Sequence, residues 1–297
     1  MPSDLRVGIV FDRAQPPERL VPFAQAVERW GADDLWLVED LTWGGAVASA
    51  GTALSATERL RLGIGLFPAP LRNPALLAME LATLARLHPG RLAAGVGHGV
   101  KEWMEQVGAW PVSSIALLDE TVRALRALLA GEKLTLHGRE VTIDDLQLVH
   151  PPTVVPPILV GAIGPRTLAL SGRAAQGTIL VEGLDPARVA AARAKVDEGR
   201  ALASEESPTH EVVALVYARV GAQEEVDRVT RPVAETLADL FDLDPSEVFM
   251  AAGPAEKVAE DLQALHEAGV DTVALHLIGD DDQLDQAHQV LAALNRS

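Results

Sequence analysis

The sequence contains no cysteine. That removes disulfides, thiolate nucleophiles and cysteine-type zinc sites together. Lysine is nearly as scarce, with four residues against 21 arginines, so cationic ligand contacts fall to planar, bidentate guanidinium groups. Aromatic residues make up 4% of the chain and include a single tyrosine. No apolar run reaches the ~18 residues needed to span a bilayer, and the chain opens without a charged-then-apolar leader. A cytoplasmic enzyme or binding protein is the expectation. Positive charge is also in deficit: 25 basic residues stand against 42 acidic ones, a net of −17. That sign opposes a nucleic-acid surface, while an anionic small molecule can still be held locally by a helix terminus or one arginine. No HxH or HExxH pattern and no G-x-S-x-G elbow occur, which sets aside zinc-type metal catalysis and serine hydrolysis.

What the chain has in quantity is apolar residue, 48% of 297, enough for a large core. Apolar strand-like runs recur with helical stretches between them: "LRVGIV" (5–10), "DDLWLV" (33–38), "LRLGIG" (60–65), "RLAAGVG" (91–97), "PPILVG" (156–161), "QGTILV" (176–181), "EVVALVYARV" (211–220) and "DTVALHLI" (271–278). Continuous apolar runs suit parallel strands buried on both faces. Eight strand-plus-helix units predict an α/β fold, a single (β/α)8 TIM barrel spanning 1–297, with an open doubly wound sheet as the alternative. "KLTLHGREVTIDD" (133–145) reads as a small hairpin inserted between the fourth and fifth barrel strands.

In such barrels the chemistry lies where the strands end at their C-termini. The residues predicted there are Phe11 and Asp12; Glu39 to Trp43; Leu66 to Arg72; Gly97, His98, Gly99 and Trp103; Gly161 to Arg166; Glu182; and His276. The set is rich in glycine, which lets a flat or phosphorylated ligand approach the backbone. In "PPILVGAIGPRTLALSGRAAQG" (156–177), a strand breaks at Gly164-Pro165 into a helix whose first turn carries Arg166 and Thr167, a natural anion site. Glu39, Asp40 and His98 are the candidates for proton transfer, and neighbouring residues on a strand-like segment point opposite ways, so one of the two carboxylates at most faces the pocket. The plainer reading of each carboxylate is a cap on the following helix. Trp43 and Trp103 are candidate walls of a substrate pocket, with core packing as the alternative. His276 reads as structural.

Together, "ATERLRLGIGLFPAPLRNPALLAMELATLARLHPGRLAAGVGHG" (56–99), "PPILVGAIGPRTLALSGRAAQG" and "LWLVEDLTWGG" resemble the bacterial-luciferase-like superfamily of flavin- and deazaflavin-dependent enzymes. The resemblance runs to about residue 185. It implies a (deaza)flavin across the barrel mouth, backed by a non-prolyl cis peptide near Gly65-Leu66, with Phe67 in the same segment. It further implies that Gly97, His98 and Gly99 line the cofactor, and that Gly161, Gly164, Pro165, Arg166 and Thr167 take its phosphate. The pattern looks more like the branch using coenzyme F420 than like FMN monooxygenases. The implied activity is hydride transfer to or from a small, rather apolar organic substrate. An FMN-dependent monooxygenase and a non-catalytic (deaza)flavin-binding protein are the alternatives. Sugar-phosphate dehydrogenases of the superfamily carry an acid after the Gly-x-Gly turn and a histidine after the strand-two acid. Here Val100 and Asp40 stand in those places, so their proton-transfer scheme does not carry over. Barrels of this kind often pair, and the apolar helical surface suits a homodimer.

Overall fold

The computed structural model describes residues 5–203, 209–241, 243–279 and 281–294. Strands and helices alternate along the chain: β1 (Arg6–Val10), α1 (Leu20–Arg29), β2 (Asp34–Leu37), α2 (Ala46–Ser55), β3 (Arg61–Pro68), α3 (Pro74–Leu87), β4 (Leu92–Gly97), α4 (Lys101–Gln106), α5 (Ser114–Leu129), β5 (Leu134–His137), β6 (Thr142–Leu146), β7 (Ile158–Ala162), α6 (Pro165–Ala174), β8 (Gly177–Leu180), α7 (Pro186–Arg200), β9 (Glu211–Val220), α8 (Gln223–Phe241), β10 (Ala251–Gly253), α9 (Ala255–Glu267), β11 (Thr272–Leu277) and α10 (Gln283–Ala293).

Eight of these strands pair in parallel in the order β9-β11-β1-β2-β3-β4-β7-β8, and β8 returns to β9 with Thr178 opposite Val212, closing the barrel. That pairing excludes the open sheet. β5 and β6 form a separate antiparallel ribbon between α5 and β7. The buried Glu120 on α5 accepts the backbone N–H groups of Arg139, Glu140 and Val141 at the ribbon's turn. β10 was not legible in the sequence. Its three residues pair with the end of β9, Ala252 opposite Arg219, and are too short for any periodic signal.

Two cores result. The larger lies between the barrel wall and the surrounding helices, and the smaller fills the barrel with Val10, Trp36, Ala93, Leu159, Ile179, Val213 and Ala274. The strand period of two places every second residue inside. Below Trp36 that rule brings charged residues to the N-terminal end of the barrel: Arg61 donates to Asp34 (2.7 Å) and to Glu211 (2.5 Å), Arg6 donates to Asp34 (2.5 Å), and Thr272 donates to Glu211 (2.7 Å). β3 pairs Ile64 with Ala94 and then Phe67 with Val96, so the ladder slips by one residue, and the Gly65-Leu66 peptide within the slip is cis. The family resemblance had implied a cis peptide near this position. Among the described residues, no helix is long and apolar enough to cross a membrane.

Candidate active site

The mouth of the barrel divides into two halves. On the β3, β4 and β7 side the inward positions near the rim are Gly65, Gly95, Gly97 and Gly161. The side chain of Leu66, swung inward by the slip, lies over them: a Cβ on Gly97 would stand 2.6 Å from Leu66 Cδ2, and one on Gly161 would collide with the same atom. This half has backbone and one leucine for a floor, a shape that admits a flat ring system.

The other half is polar. Two residues beyond Val10, Leu215 and Ala274 along their strands come Asp12, Tyr217 and His276, all on the inner face, and Glu182 reaches in from just past β8. His276 Nε2 lies 3.3 Å from Asp12 Oδ2, and its Nδ1 lies 3.9 Å from Glu182 Oε1. Tyr217 stacks on the imidazole with ring centroids 4.6 Å apart. Burial opposes charge on His276, but the bond to Asp12 and the neighbouring Glu182 outweigh it and carry its pKa up to about 9. The bond from His276 draws Asp12 down to about 2 against its own burial, helped by the Ala14 N–H and Gln283. Burial, then Glu182, pushes Tyr217 up to about 12. At neutral pH the cluster therefore holds an imidazolium against the Asp12 carboxylate, with Glu182 on its other side and an un-ionised phenol behind it.

The sequence had passed over His276 as structural. Its signal was the strand register: once Ala274 is known to face inward, His276 must as well.

The residues chosen from sequence fare unevenly. Glu39 and Asp40 do point apart. Glu39 accepts two hydrogen bonds from Arg72 (2.7 and 2.5 Å) and one from the Ala46 N–H at the start of α2, which is the capping role. Arg72 also reaches Glu80 (2.6 Å) and lies over the Phe67 ring, so it is committed to the fold and not to a ligand. Glu39→Gln is expected to destabilise the protein by about 2 kcal/mol, the cost of leaving a charged group short of its partner, read from the denaturant midpoint. A change under about 0.5 kcal/mol would mean the pair is exposed enough to be replaced by water.

Asp40 pairs with Arg13, whose guanidinium lies 5.4 Å from the Trp43 ring and 5.9 Å from the Trp103 ring. Trp43 and Trp103 thus meet across Arg13 at the rim, and Trp43 and Arg13, with Phe11, Thr42 and Ser49, line a cavity of about 390 Å³ there. Phe67 is a correction: its side chain is fully buried outside the barrel, because the residue after inward Leu66 must turn outward. Its ring therefore has no access to a ligand in the mouth.

His98 Nε2 lies 3.3 Å from Thr167 Oγ1, and burial holds its pKa below the ordinary value, so the ring is neutral at pH 7. Gly99 takes a positive φ of 70° to turn the chain into α4. At the start of α6, Gly164 is the N-cap with no side-chain cap, Pro165 fills the first position, and Ile163 to Arg166 are exposed. With no acidic residue in that first turn, the positive end of the helix and Arg166 stand open to an anion. Among the described residues, no group of three or more His, Asp or Glu side chains is placed to hold a metal ion.

Residues 6–239 match the model of the luciferase-like monooxygenase family. The chain belongs to that family. It is 32% identical over 198 residues to an F420-dependent glucose-6-phosphate dehydrogenase of Nakamurella multipartita, a match covering 62% of this chain and 58% of the relative's length. It is 29% identical over 296 residues to an F420-dependent hydroxymycolic acid dehydrogenase of Mycobacterium tuberculosis, covering 94% of this chain and 81% of the relative. In structure it superposes on an F420-dependent secondary alcohol dehydrogenase, solved with an F420-acetone adduct, with a TM-score of 0.85 over 97% of this chain and 98% of the other. At 23% identity that last likeness speaks to the fold.

Proposed function

We propose that this family member is an oxidoreductase that transfers a hydride between coenzyme F420 and a small, uncharged organic substrate at the barrel mouth. The observation that carries the reading is the divided mouth, a glycine-floored half beside a half that holds a proton donor. Hydride transfer to a polarised bond needs both, a flat carrier surface and a group to manage the proton. The named relatives, all F420-dependent, support the same cofactor.

The residues present fit that cofactor. Gly65, Leu66, Gly97 and Gly161 would back the ring system, with His98 and Gly99 at its edge. The backbone at Gly164 and Pro165, the Arg166 guanidinium and Thr167 would hold the phosphate. When bound, the deazaflavin supplies or takes up the hydride. Glu39 holds the rim in place through Arg72, and Asp40 orients Arg13 between Trp43 and Trp103, which wall the substrate side. Leu76, Met79 and Leu87 leave the outer face of α3 apolar and exposed, the surface on which a homodimer would form.

Parallel titration of the purified protein with F420 and with FMN, followed by cofactor absorbance and tryptophan fluorescence, tests the reading. Tight binding of F420 is expected, and Arg166→Ala should weaken it about tenfold, the worth of one charge-assisted contact. Tight binding of FMN alone would move the reaction to oxygen-dependent chemistry. Binding without turnover of any reducible compound would leave a binding protein.

A further inference from the structure

We infer that His276, gripped between Asp12 and Glu182, is the group that protonates the substrate oxygen, and that the substrate is an uncharged carbonyl compound reduced to an alcohol. The inference rests on the hydride-transfer reading above and names its acid and its substrate class.

Four observations carry it. His276 lies on the inner face at the end of β11, opposite the glycine-floored half, where a substrate between the two halves meets it. Its two ring nitrogens are not equivalent. Nε2 faces Asp12 at hydrogen-bond distance, and Asp12 is fixed in turn by the Ala14 N–H (2.7 Å) and Gln283 Nε2 (3.2 Å). Nδ1 has only Glu182, at 3.9 Å, too far for a hydrogen bond. An oxygen atom of the substrate placed beside Nδ1 gives that N–H the acceptor it lacks among the described residues. The stacked Tyr217 ring holds the imidazole plane, so Nδ1 keeps its aim.

The charges around the site select the substrate. Asp12 and Glu182 outnumber the one imidazolium, and the Arg13 guanidinium on the loop after β1 is taken by Asp40. An anionic substrate would meet a net negative wall with no free arginine on that loop, whereas a neutral ketone or aldehyde meets a positioned N–H donor.

The step balances as a carbonyl reduction. When bound, the reduced deazaflavin would supply the hydride that the substrate carbon takes up as the C=O π pair moves to oxygen. Oxygen takes the Nδ1 proton, and the neutral imidazole left behind is reprotonated from water. The groups that set this proton's affinity are Asp12 from the β1 loop, Glu182 beyond β8 and Tyr217 of β9, with neutral Gln283 of α10 acting through Asp12. The acid form is present below the pKa of about 9 and lost above it. Ketone reduction should therefore fall off on the alkaline side, and Glu182→Gln should move that fall to lower pH by withdrawing one of the charges that hold the proton.

The test joins a titration that needs no coenzyme to kinetics that do. In the full chain labelled with 15N-histidine, the His276 ring is expected to titrate near 9 and to shift down in Glu182→Gln. A titration at the ordinary ~6.5 overturns the assignment. With reduced F420, the probes are acetone, cyclohexanone and hexanal as uncharged carbonyls and pyruvate as an anionic one. His276→Gln should lower kcat about 10³-fold, the worth of a positioned general acid, and lose the alkaline limb while still binding F420. Unchanged kcat and pH profile in that variant overturn the role. Preference for pyruvate, or reduction of none of the uncharged probes, overturns the substrate class. Should His276→Gln not fold, His276→Asn and the wild-type titration decide. Failure of the wild-type protein to bind F420 at all would be a failure of the hydride-transfer reading, and this proposal would fall with it, whatever the histidine's titration.

Discussion

Asp34→Asn is expected to lower the folding stability by about 4 kcal/mol, as when one partner of a buried ion pair is removed. Asp34 is fully buried at the bottom of the barrel and accepts hydrogen bonds from Arg61 Nε (2.9 Å), Arg61 Nη2 (2.7 Å) and Arg6 Nη2 (2.5 Å). Asparagine keeps the shape, but it removes the charge and puts an N–H₂ donor where one oxygen accepted. Arg61, only 15% exposed along its side chain, keeps Glu211 but loses half of its compensation. Chemical denaturation at pH 7 reads the loss. A change below about 1 kcal/mol would show that the network specifies the register of the strands and adds little to their stability. The same group sets an acid limit. Burial alone would raise the Asp34 pKa, yet the bonds from Arg61 and then Arg6 overcome it and hold the carboxyl below its ordinary value. Its contribution is thus present above the unfolded carboxylate pKa of ~3.9 and is lost as pH falls through the folded value. The wild-type protein should lose stability on that acid side more steeply than Asp34→Asn.

Gly63→Ala is expected to cost about 3 kcal/mol, lowering Tm by roughly 6 °C. A Cβ on Gly63 of β3 would stand 2.5 Å from Trp36 Cε2, and on the other side of β2 a Cβ on Gly8 of β1 would stand 2.6 Å from Trp36 Cδ1. The indole fills the barrel between two glycines, and neither side can yield, because β1, β2 and β3 are hydrogen-bonded into a closed ring. Overpacking of this kind is relieved by shrinking the neighbour. Adding Trp36→Leu to Gly63→Ala should therefore recover part of the loss, a coupling that a double-mutant cycle isolates. Strict additivity of the two changes would mean the strain is taken up elsewhere in the barrel wall. The mouth has a related arrangement with a softer partner. Gly97 and Gly161 make room for the flexible end of Leu66, so the ligand floor can adjust where the barrel interior cannot.

Much of this was written in the order of residues. Apolar runs of six to ten residues, each followed by a helical period, marked the eight barrel strands. A strand buried on both faces has to be apolar throughout, and that signal survives without any knowledge of neighbours. The glycine-proline break before Arg166 likewise announced an uncapped helix start, because capping is decided within a few residues. Glu39 and Asp40 were seen as a pair that must diverge, which is strand geometry. Their partners were not visible. Arg72 lies 33 positions beyond Glu39 and Arg13 lies 27 before Asp40, and nothing local says that loops so far apart meet at one rim. Phe67 was misread for a similar reason: the slip in β3 reverses which side chains face inward, and only the pairing with β4 shows where it falls.

The cis Gly65-Leu66 peptide came with the family resemblance, whereas the sequence by itself determined the barrel, the open helix start at Gly164-Pro165 and the absence of thiol and disulfide chemistry. These follow from composition, periodicity and motifs that act over a few residues. Only the tertiary structure decided that Asp12, Glu182, Tyr217 and His276 form one cluster. They lie on four strands or strand ends, from β1 to β11, and are brought together by closure of the barrel. Each is an unremarkable polar residue at the end of an apolar run until register puts all four on the same inner face. The Asp12 and Glu182 side chains then act on the His276 ring at 3.3 and 3.9 Å, in a site only partly open to water.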